Sequence, residues 1–277
     1  MPTLPHALIL EGGGLRGNYT AGVLDAFLEH GLAFPYIIGV SAGAGMSCSF
    51  VSKQRERNLH ILKKYRNDPR YLSIRSFIKT GDYFGLDFIY HDIPDKLVPF
   101  DIETFLASPA RFVSVCTDCE TGEPVYFEKS PDILSVMKAS SAMPFVSRIV
   151  EYGGRKLLDG GISDAIPLAK ALSEGFTKNI VILTHPAGYR RKKGLQPPAR
   201  FFYRKYPRFI EALGNYVGKY NQSLAFAEDE AAAGRTLLIR PSVDLNVSRT
   251  DKDMAKLIGL YELGLKDGET AAITLTA

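Results

Sequence analysis

Short apolar runs alternate with segments of helical periodicity along most of the chain. Residues 6–11 and 36–40 are apolar and rich in β-branched or aromatic side chains, which predicts buried strands. Between them, Tyr19, Val23 and Phe27 recur at helical spacing and predict a helix over residues 18–30. The pattern continues with predicted strands at 111–117, 124–128, 146–152, 156–158, 179–184 and 236–240, and predicted helices at 130–144, 167–174, 207–233 and 250–266. This alternation predicts an α/β fold with a mostly parallel central sheet and helices on both faces.

Two regions depart from this alternation. Residues 53–108 are basic in their first half and aromatic in their second, and we interpret them as an insertion or cap beside the sheet. Residues 185–277 form a C-terminal portion that is mainly helical in pattern, with an interruption predicted near Gly214 and Gly218. The length of 277 residues fits one large domain, and no internal repeat is present.

The composition is that of a soluble globular protein, with 45% apolar and 23% charged residues. A net charge of +4 gives no reason to expect a nucleic-acid partner. No apolar run reaches the roughly 18 residues of a membrane span, and residues 1–6 lack the features of a signal peptide. Three cysteines fit a reducing compartment. These features together predict a cytoplasmic protein.

A metal or redox role for the C-x-x-C pair at Cys116 and Cys119 is not favoured. A structural zinc site needs a second Cys or His pair at a suitable spacing, and the chain has none. We therefore expect no metal and no cofactor.

The strongest local motif is G-x-S-x-G at Gly39, Ser41 and Gly43. It joins the end of the strand at 36–40 to an apolar helix candidate at 46–51, which is the form of a nucleophile elbow. Glycine on each side allows the strained turn that holds the serine at the carboxyl end of the strand. The motif also occurs as an ordinary glycine-rich turn, so other stretches must decide.

A second glycine-rich loop, at residues 12–17, admits two interpretations. It satisfies the dinucleotide-binding pattern G-x-G-x-x-G, but that function also needs an acidic residue near the end of the second strand, which has none. Alternatively, the amides of Gly12, Gly13 and Gly14, with Arg16 nearby, could surround a developing oxyanion. If the first two strands are neighbours, this loop and Ser41 face one crevice.

A nucleophilic serine needs a base, and the residues alone leave two candidates. His185 follows a predicted strand and would complete the order Ser41, Asp159, His185 found in α/β-hydrolases, although their elbow follows several strands rather than two. Asp159, in the tripeptide 159–161, is either a base or part of an ordinary Asp-Gly turn.

Four blocks together resemble the patatin-like phospholipases. The blocks are GGGLRG at 12–17, GVSAG at 39–43, ASSAMP at 139–144 and DGG at 159–161, and they match that family in order and spacing. The resemblance implies a three-layer α/β sandwich and a serine lipid acyl hydrolase without metal or cofactor. It further implies that Ser41 is the nucleophile, that Asp159 is the base of a Ser–Asp dyad, and that Gly12, Gly13, Gly14 and Arg16 form the oxyanion hole. The block at 139–144 would have a structural role beside the site.

Other functions remain open at this point: an esterase or thioesterase for small acyl groups, or a lipid-binding protein of the same fold without catalysis.

One further segment suggests a partner of the protein. Residues 185–208 contain basic residues, aromatic residues and no acid, which is typical either of contact with an anionic membrane surface or of a solvated face. The basic residues are Arg190, Arg191, Lys192, Lys193, Arg200, Arg204, Lys205 and Arg208.

Overall fold

The structure is a computed structural model that describes residues 3–194 and 197–277. Its first half alternates strands and helices up to the serine motif and then becomes helical. In chain order the elements are β1 (Ala7–Leu10), α1 (Gly17–Glu29), β2 (Tyr36–Val40), α2 (Ala42–Val51), α3 (Arg57–Tyr65), α4 (Ile74–Thr80), a π-helix (Phe88–Leu97) and α5 (Ile102–Ala107).

The second half completes the sheet and ends in two long helices. Its elements are β3 (Arg111–Asp118), β4 (Pro124–Glu128), α6 (Ile133–Ser140), β5 (Val150–Tyr152), β6 (Arg155–Asp159), α7 (Leu168–Ser173), β7 (Asn179–Ile182), α8 (Ala199–Phe202), α9 (Pro207–Ala232), β8 (Thr236–Ile239) and α10 (Met254–Thr276). No helix of the described residues is both long enough and apolar enough to traverse a bilayer.

All the strands of the described residues join one eight-stranded sheet of order β5-β6-β3-β2-β1-β7-β8, with β4 also paired to β3. The strands β3, β2, β1, β7 and β8 run parallel, whereas β4 and β6 run antiparallel to β3. The mostly parallel sheet predicted from the sequence is therefore confirmed. Because β1 and β2 are direct neighbours, the loops that follow them leave the same edge of the sheet.

The sheet separates two hydrophobic cores, since side chains alternate between the faces of a strand. Leu8 and Leu10 of β1 face a core built with α1, α2, α6 and α10. Ala7 and Ile9 face a second core that includes Leu168 of α7 and apolar residues of α9. Helices thus cover both faces, and the fold is a three-layer sandwich as expected.

The predicted interruption of α9 is wrong. The helix runs without a break from 207 to 232, through Gly214 and Gly218. Both glycines have open space where a side chain would lie, so they cost conformational entropy without forcing a kink. Buried residues on the opposite face, including Phe209 and Leu224, hold the helix on the sheet. Tertiary packing here outweighs the local preference of glycine.

The regular structure of residues 53–108 is helical apart from a single β-bridge between Leu72 and Phe84, and this described segment supplies no strand to the sheet. Its apolar side chains join the core that contains α1 and α2. The interpretation of this segment as a cap stays a prediction. What matters for the site is its position beside α2, the helix that follows Ser41.

Candidate active site

Ser41 occupies a strained turn between β2 and α2. Its backbone has φ 53° and ψ −123°, a conformation that residues other than glycine seldom adopt. The helix α2 begins at the next residue, Ala42, so Ser41 lies at the amino end of a helix, where free N–H groups favour negative charge. The side chain is held at the carboxyl edge of the sheet, although the residue is only 8% exposed.

The space on both sides of this turn admits only glycine at positions 39 and 43. A Cβ atom on Gly39 would lie 2.6 Å from the Cα of Ala44. A Cβ atom on Gly43 would lie 2.5 Å from the carbonyl oxygen of Glu11. Both distances are shorter than any real contact of this kind, so neither position accepts a side chain without backbone movement.

Ser140 braces the turn from a third segment. The backbone N–H of Ser41 donates to Ser140 Oγ at 2.9 Å, and this hydroxyl donates to the carbonyl oxygen of Val115 in β3 at 2.6 Å. Ser140 is fully buried at the end of α6. The sequence blocks suggested a structural role for residues 139–144 but did not identify this residue or its partners.

Asp159 reaches the same place from the end of β6. This strand pairs antiparallel with β3, and its last residue lies opposite Cys116. Asp159 Oδ1 accepts a hydrogen bond from the N–H of Gly161 at 2.8 Å, and its carbonyl accepts one from Thr117 Oγ1 at 2.8 Å. The carboxyl group is therefore fixed within a buried turn.

The electrostatics of Asp159 are dominated by burial, which raises the pKa of its carboxyl group above the ordinary value. The neighbouring Ser41 hydroxyl and the Gly161 amide act in the opposite direction, and the positive charges of Arg249 and Arg191 contribute further lowering. A carboxylate with a raised pKa is a stronger base than a free aspartate.

The glycine loop after β1 packs directly against the serine turn. A Cβ atom on Gly12 would lie 3.0 Å from Ser41 Cβ, and Gly14 has a φ of +57°, so both positions favour glycine. Among the described residues, the backbone amides of Gly12, Gly13 and Gly14 have no hydrogen-bond acceptor. These N–H groups are available to a negatively charged atom beside Ser41.

Arg16 and His185 lie apart from Ser41. Both line a separate small cavity with Thr184 and Pro241, and neither lines a cavity that contains Ser41. His185 stacks on Tyr189 at 3.5 Å between ring centroids, and burial with nearby Arg16 lowers its pKa to about 3. His185 is thus a weak base, and within the described residues no hydrogen bond joins it to Ser41. The contribution of Arg16 to an oxyanion hole stays a prediction.

Ser41 lies at the junction of two cavities, each of about 1010 Å³ including its open mouth. The first, which we name the apolar chamber, lies beneath residues 57–100 and is lined by side chains such as Ile61, Phe84 and Met137. The second, which we name the arginine chamber, contains Asp159, the glycine loop, Arg191 and Arg249. No local pattern in the sequence indicated that Arg191 and Arg249 would line one cavity with Ser41.

Glu11 is a buried carboxylate that sequence reasoning also missed. It accepts hydrogen bonds from the Thr184 amide at 2.6 Å, the Thr184 hydroxyl at 3.0 Å and the Tyr220 hydroxyl at 2.8 Å. These bonds tie the start of the glycine loop to β7 and α9. In the sequence, the position of Glu11 between an apolar strand and three glycines was the feature that could have identified it.

The cysteines are all buried. Cys116 and Cys119 are buried free thiols whose pKa values burial raises. In residues 3–194 and 197–277, no three His, Cys, Asp or Glu side chains are grouped so that they could hold a metal ion.

Comparisons with known proteins agree with the motif blocks. The family model described as patatin-like phospholipase matches residues 8–172, and a domain of unknown function, DUF6363, matches residues 206–275. The uncharacterized protein YjjU of Escherichia coli (strain K12) is 31% identical over 187 residues, which are 65% of this chain and 52% of that protein. The uncharacterized NTE family protein Rv1063c of Mycobacterium tuberculosis is 30% identical over 163 residues, which are 59% of this chain and 44% of that protein.

The chain spans about half the length of these curated relatives. Among solved structures, the crystal structure of VipD from Legionella pneumophila aligns with 99% of this chain and 67% of its own, at 13% identity and a TM-score of 0.48. That TM-score is too low to establish a shared fold.

Removal of the charge at position 159 should stabilise the fold. Because burial raises the folded pKa of Asp159 above that of the unfolded chain, the cost of its charge is absent at low pH and grows as the pH rises through the folded pKa. We expect Asp159→Asn to raise the free energy of unfolding by about 1 kcal/mol at neutral to basic pH, with a smaller gain in acid. Urea denaturation at about pH 8, and at about pH 3.5 below the ordinary aspartate pKa of about 3.9, measures both values.

The control for this measurement is Asp95→Asn, since Asp95 is exposed and forms no ion pair among the described residues. A gain at position 159 that is absent, or that does not shrink in acid, would contradict the electrostatic account.

Proposed function

The chain belongs to the patatin-like phospholipase family, and we propose that it is a serine lipid acyl hydrolase whose nucleophile and base are Ser41 and Asp159. One observation carries this proposal. Ser41 and Asp159, from distant segments, line one cavity. The same cavity is lined by Gly12, Gly13 and Gly14, whose amides lack an acceptor in the described structure. Acyl transfer needs these three components within reach of one carbonyl group.

In the proposed mechanism, Ser41 Oγ attacks the ester carbonyl carbon while Asp159 accepts the hydroxyl proton. The glycine amides stabilise the resulting oxyanion. When the tetrahedral intermediate collapses, the C–O bond to the alcohol breaks and Asp159 returns its proton to that alcohol. Water then attacks the acyl-serine as Asp159 accepts its proton, and the second collapse releases the carboxylic acid and restores the Ser41 hydroxyl.

The environment of Asp159 supports its assignment as the base. A free aspartate is less basic than a free histidine by about 2.6 pKa units, so a Ser–Asp pair begins at a disadvantage. Burial raises the pKa of Asp159 and recovers part of that difference. The remainder of the rate enhancement would come from the oxyanion interactions.

The apolar chamber favours lipid esters over the alternatives. Its lining is dominated by aliphatic and aromatic side chains beside Ser41, which match the apolar surface of an acyl chain. An esterase or thioesterase for small acyl groups would not need so extended an apolar lining. A non-catalytic lipid-binding protein would use the chamber but would not need the strained serine, the buried carboxylate and the open amides.

Ester hydrolysis by single-residue variants tests this proposal. With a neutral monoacylglycerol as substrate, Ser41→Ala and Asp159→Asn should each lower kcat by about 10³-fold or more, because each removes a group that acts on the reacting atoms. Ser173→Ala, on an exposed serine of α7, is the matched control and should retain activity. His185→Gln should also retain activity, since His185 lies in another cavity. Hydrolysis that survives both Ser41→Ala and Asp159→Asn would leave only the lipid-binding alternative.

We further propose that the exposed residues of the segment 185–208 contact an anionic membrane surface, which fits the predicted cytoplasmic location. In the short helix α8, Phe201 is 78% exposed and Phe202 is 52% exposed. Exposed basic residues flank them, namely Arg200, Arg204 and Lys205. Leu195 and Gln196 of this segment lie outside the described residues.

This surface predicts salt-dependent binding to lipid vesicles. Binding to vesicles that contain phosphatidylserine should fall steeply with ionic strength, because each basic residue contributes about 1 kcal/mol of screened attraction. Double substitution of Phe201 and Phe202 by serine should weaken binding at every salt concentration. Cosedimentation measures both effects, and equal binding to neutral and anionic vesicles would exclude the proposed surface.

A further inference from the structure

The geometry points to an anion subsite in the arginine chamber, at which Arg191 and Arg249 bind the phosphate group of an ester substrate whose acyl chain lies in the apolar chamber. This inference rests on the proposed function and assigns two specificity-determining residues, Arg191 and Arg249, to the same site.

Arg191 is a buried cation that forms no ion pair within the described residues. The residue is only 9% exposed, and among the described residues no carboxylate lies within ion-pair distance of it. Its Nε is buried without a hydrogen-bond acceptor in the described structure. A buried charge is costly unless it is paired, so an anionic ligand in this chamber would supply the missing partner.

The position of Arg191 is fixed by contacts other than ion pairs. Its guanidinium lies 3.6 Å from the centroid of the Tyr220 ring, and its backbone exchanges two hydrogen bonds with the Asn221 side chain, at 2.9 and 3.0 Å. Tyr220 in turn donates to Glu11, at the start of the glycine loop. Arg191 is therefore connected, through Tyr220 and Glu11, to the loop that faces Ser41.

Arg249 reaches the same chamber from the segment before α10. Its backbone carbonyl accepts a hydrogen bond from the N–H of Leu15 at 3.0 Å, which fixes its place beside the glycine loop. Its side chain forms no ion pair among the described residues. Both arginines are close enough to lower the pKa of Asp159, so their positive potential extends to the reacting groups.

Ser41 lines both chambers, which gives the substrate one orientation. An ester whose carbonyl lies at Ser41 can place its acyl chain among the apolar side chains and its alcohol portion toward Arg191 and Arg249. Two guanidinium groups match the several charged oxygens of a phosphate group. A neutral acylglycerol lacks any group for this subsite.

The test compares two substrates that differ only in the phosphate group, 1-oleoylglycerol 3-phosphate and 1-oleoylglycerol, in one detergent. We expect kcat/KM of the wild type to favour the phosphate substrate. Arg191→Gln and Arg249→Gln should each lower the ratio of the two kcat/KM values by about tenfold, mainly through KM, because each removes a charge-assisted hydrogen bond. Arg191→Lys, which keeps the charge, should restore part of the ratio. Arg75→Gln is the control, since this exposed arginine lies outside both chambers.

A second arm separates a bound headgroup from a bound free anion. Inorganic phosphate should inhibit the wild type competitively and inhibit the arginine variants less. Inhibition by phosphate without any preference of the wild type for the phosphate substrate would mean that the subsite binds a free anion, which overturns the assignment to a headgroup.

The outcomes also distinguish this inference from the proposed function. A ratio unchanged by both arginine substitutions, with hydrolysis still dependent on Ser41, overturns the subsite alone. Hydrolysis that survives Ser41→Ala overturns the proposed function. Thermal melting checks the fold of each variant, and if Arg191→Gln does not fold, the ratio for Arg249→Gln and the preference of the wild type decide.

Discussion

The close approach of two loops at the carboxyl edge of the sheet is the constraint on which the rest of the site depends. β1 and β2 are adjacent and parallel, so the glycine loop and the serine turn leave the sheet side by side. They fit only because Gly12 and Gly43 have no side chains. Ser140 adds the third contact, because it links the Ser41 amide to β3. The strained backbone of Ser41 is held by this packing rather than by its own preference.

Much of the fold could be predicted from the pattern of apolar positions, because strands buried on both faces and helices with one apolar face have distinct periods. β2 and β4 begin and end where the sequence predicts. The glycines on both sides of Ser41 also predicted a tight turn, since few other structures need glycine at that spacing. The continuous α9 was missed because its stability comes from buried contacts with the sheet, which no local window contains.

The site was less accessible to sequence reasoning than the fold. Ser41, Asp159 and the glycine loop belong to recognisable blocks, and the structure places them along one cavity. Arg191, Arg249 and Ser140 are brought to this place by tertiary contacts alone. Arg191 stood within a basic segment that suggested a surface, yet it is buried against Tyr220. Arg16, which lies inside the glycine motif, lines a separate cavity with His185. Motif membership therefore predicted backbone placement better than side-chain direction.

The central claim is that the turn at position 41 makes one serine a nucleophile through the buried carboxylate of Asp159. A fluorophosphonate probe tests it most directly, because the probe phosphonylates only activated serines, and peptide mass spectrometry locates the adduct. The account predicts a single adduct on Ser41 in the wild type and a rate of labelling that falls sharply in Asp159→Asn. An adduct on another serine, or labelling of Ser41 at the same rate without the carboxylate, would contradict it.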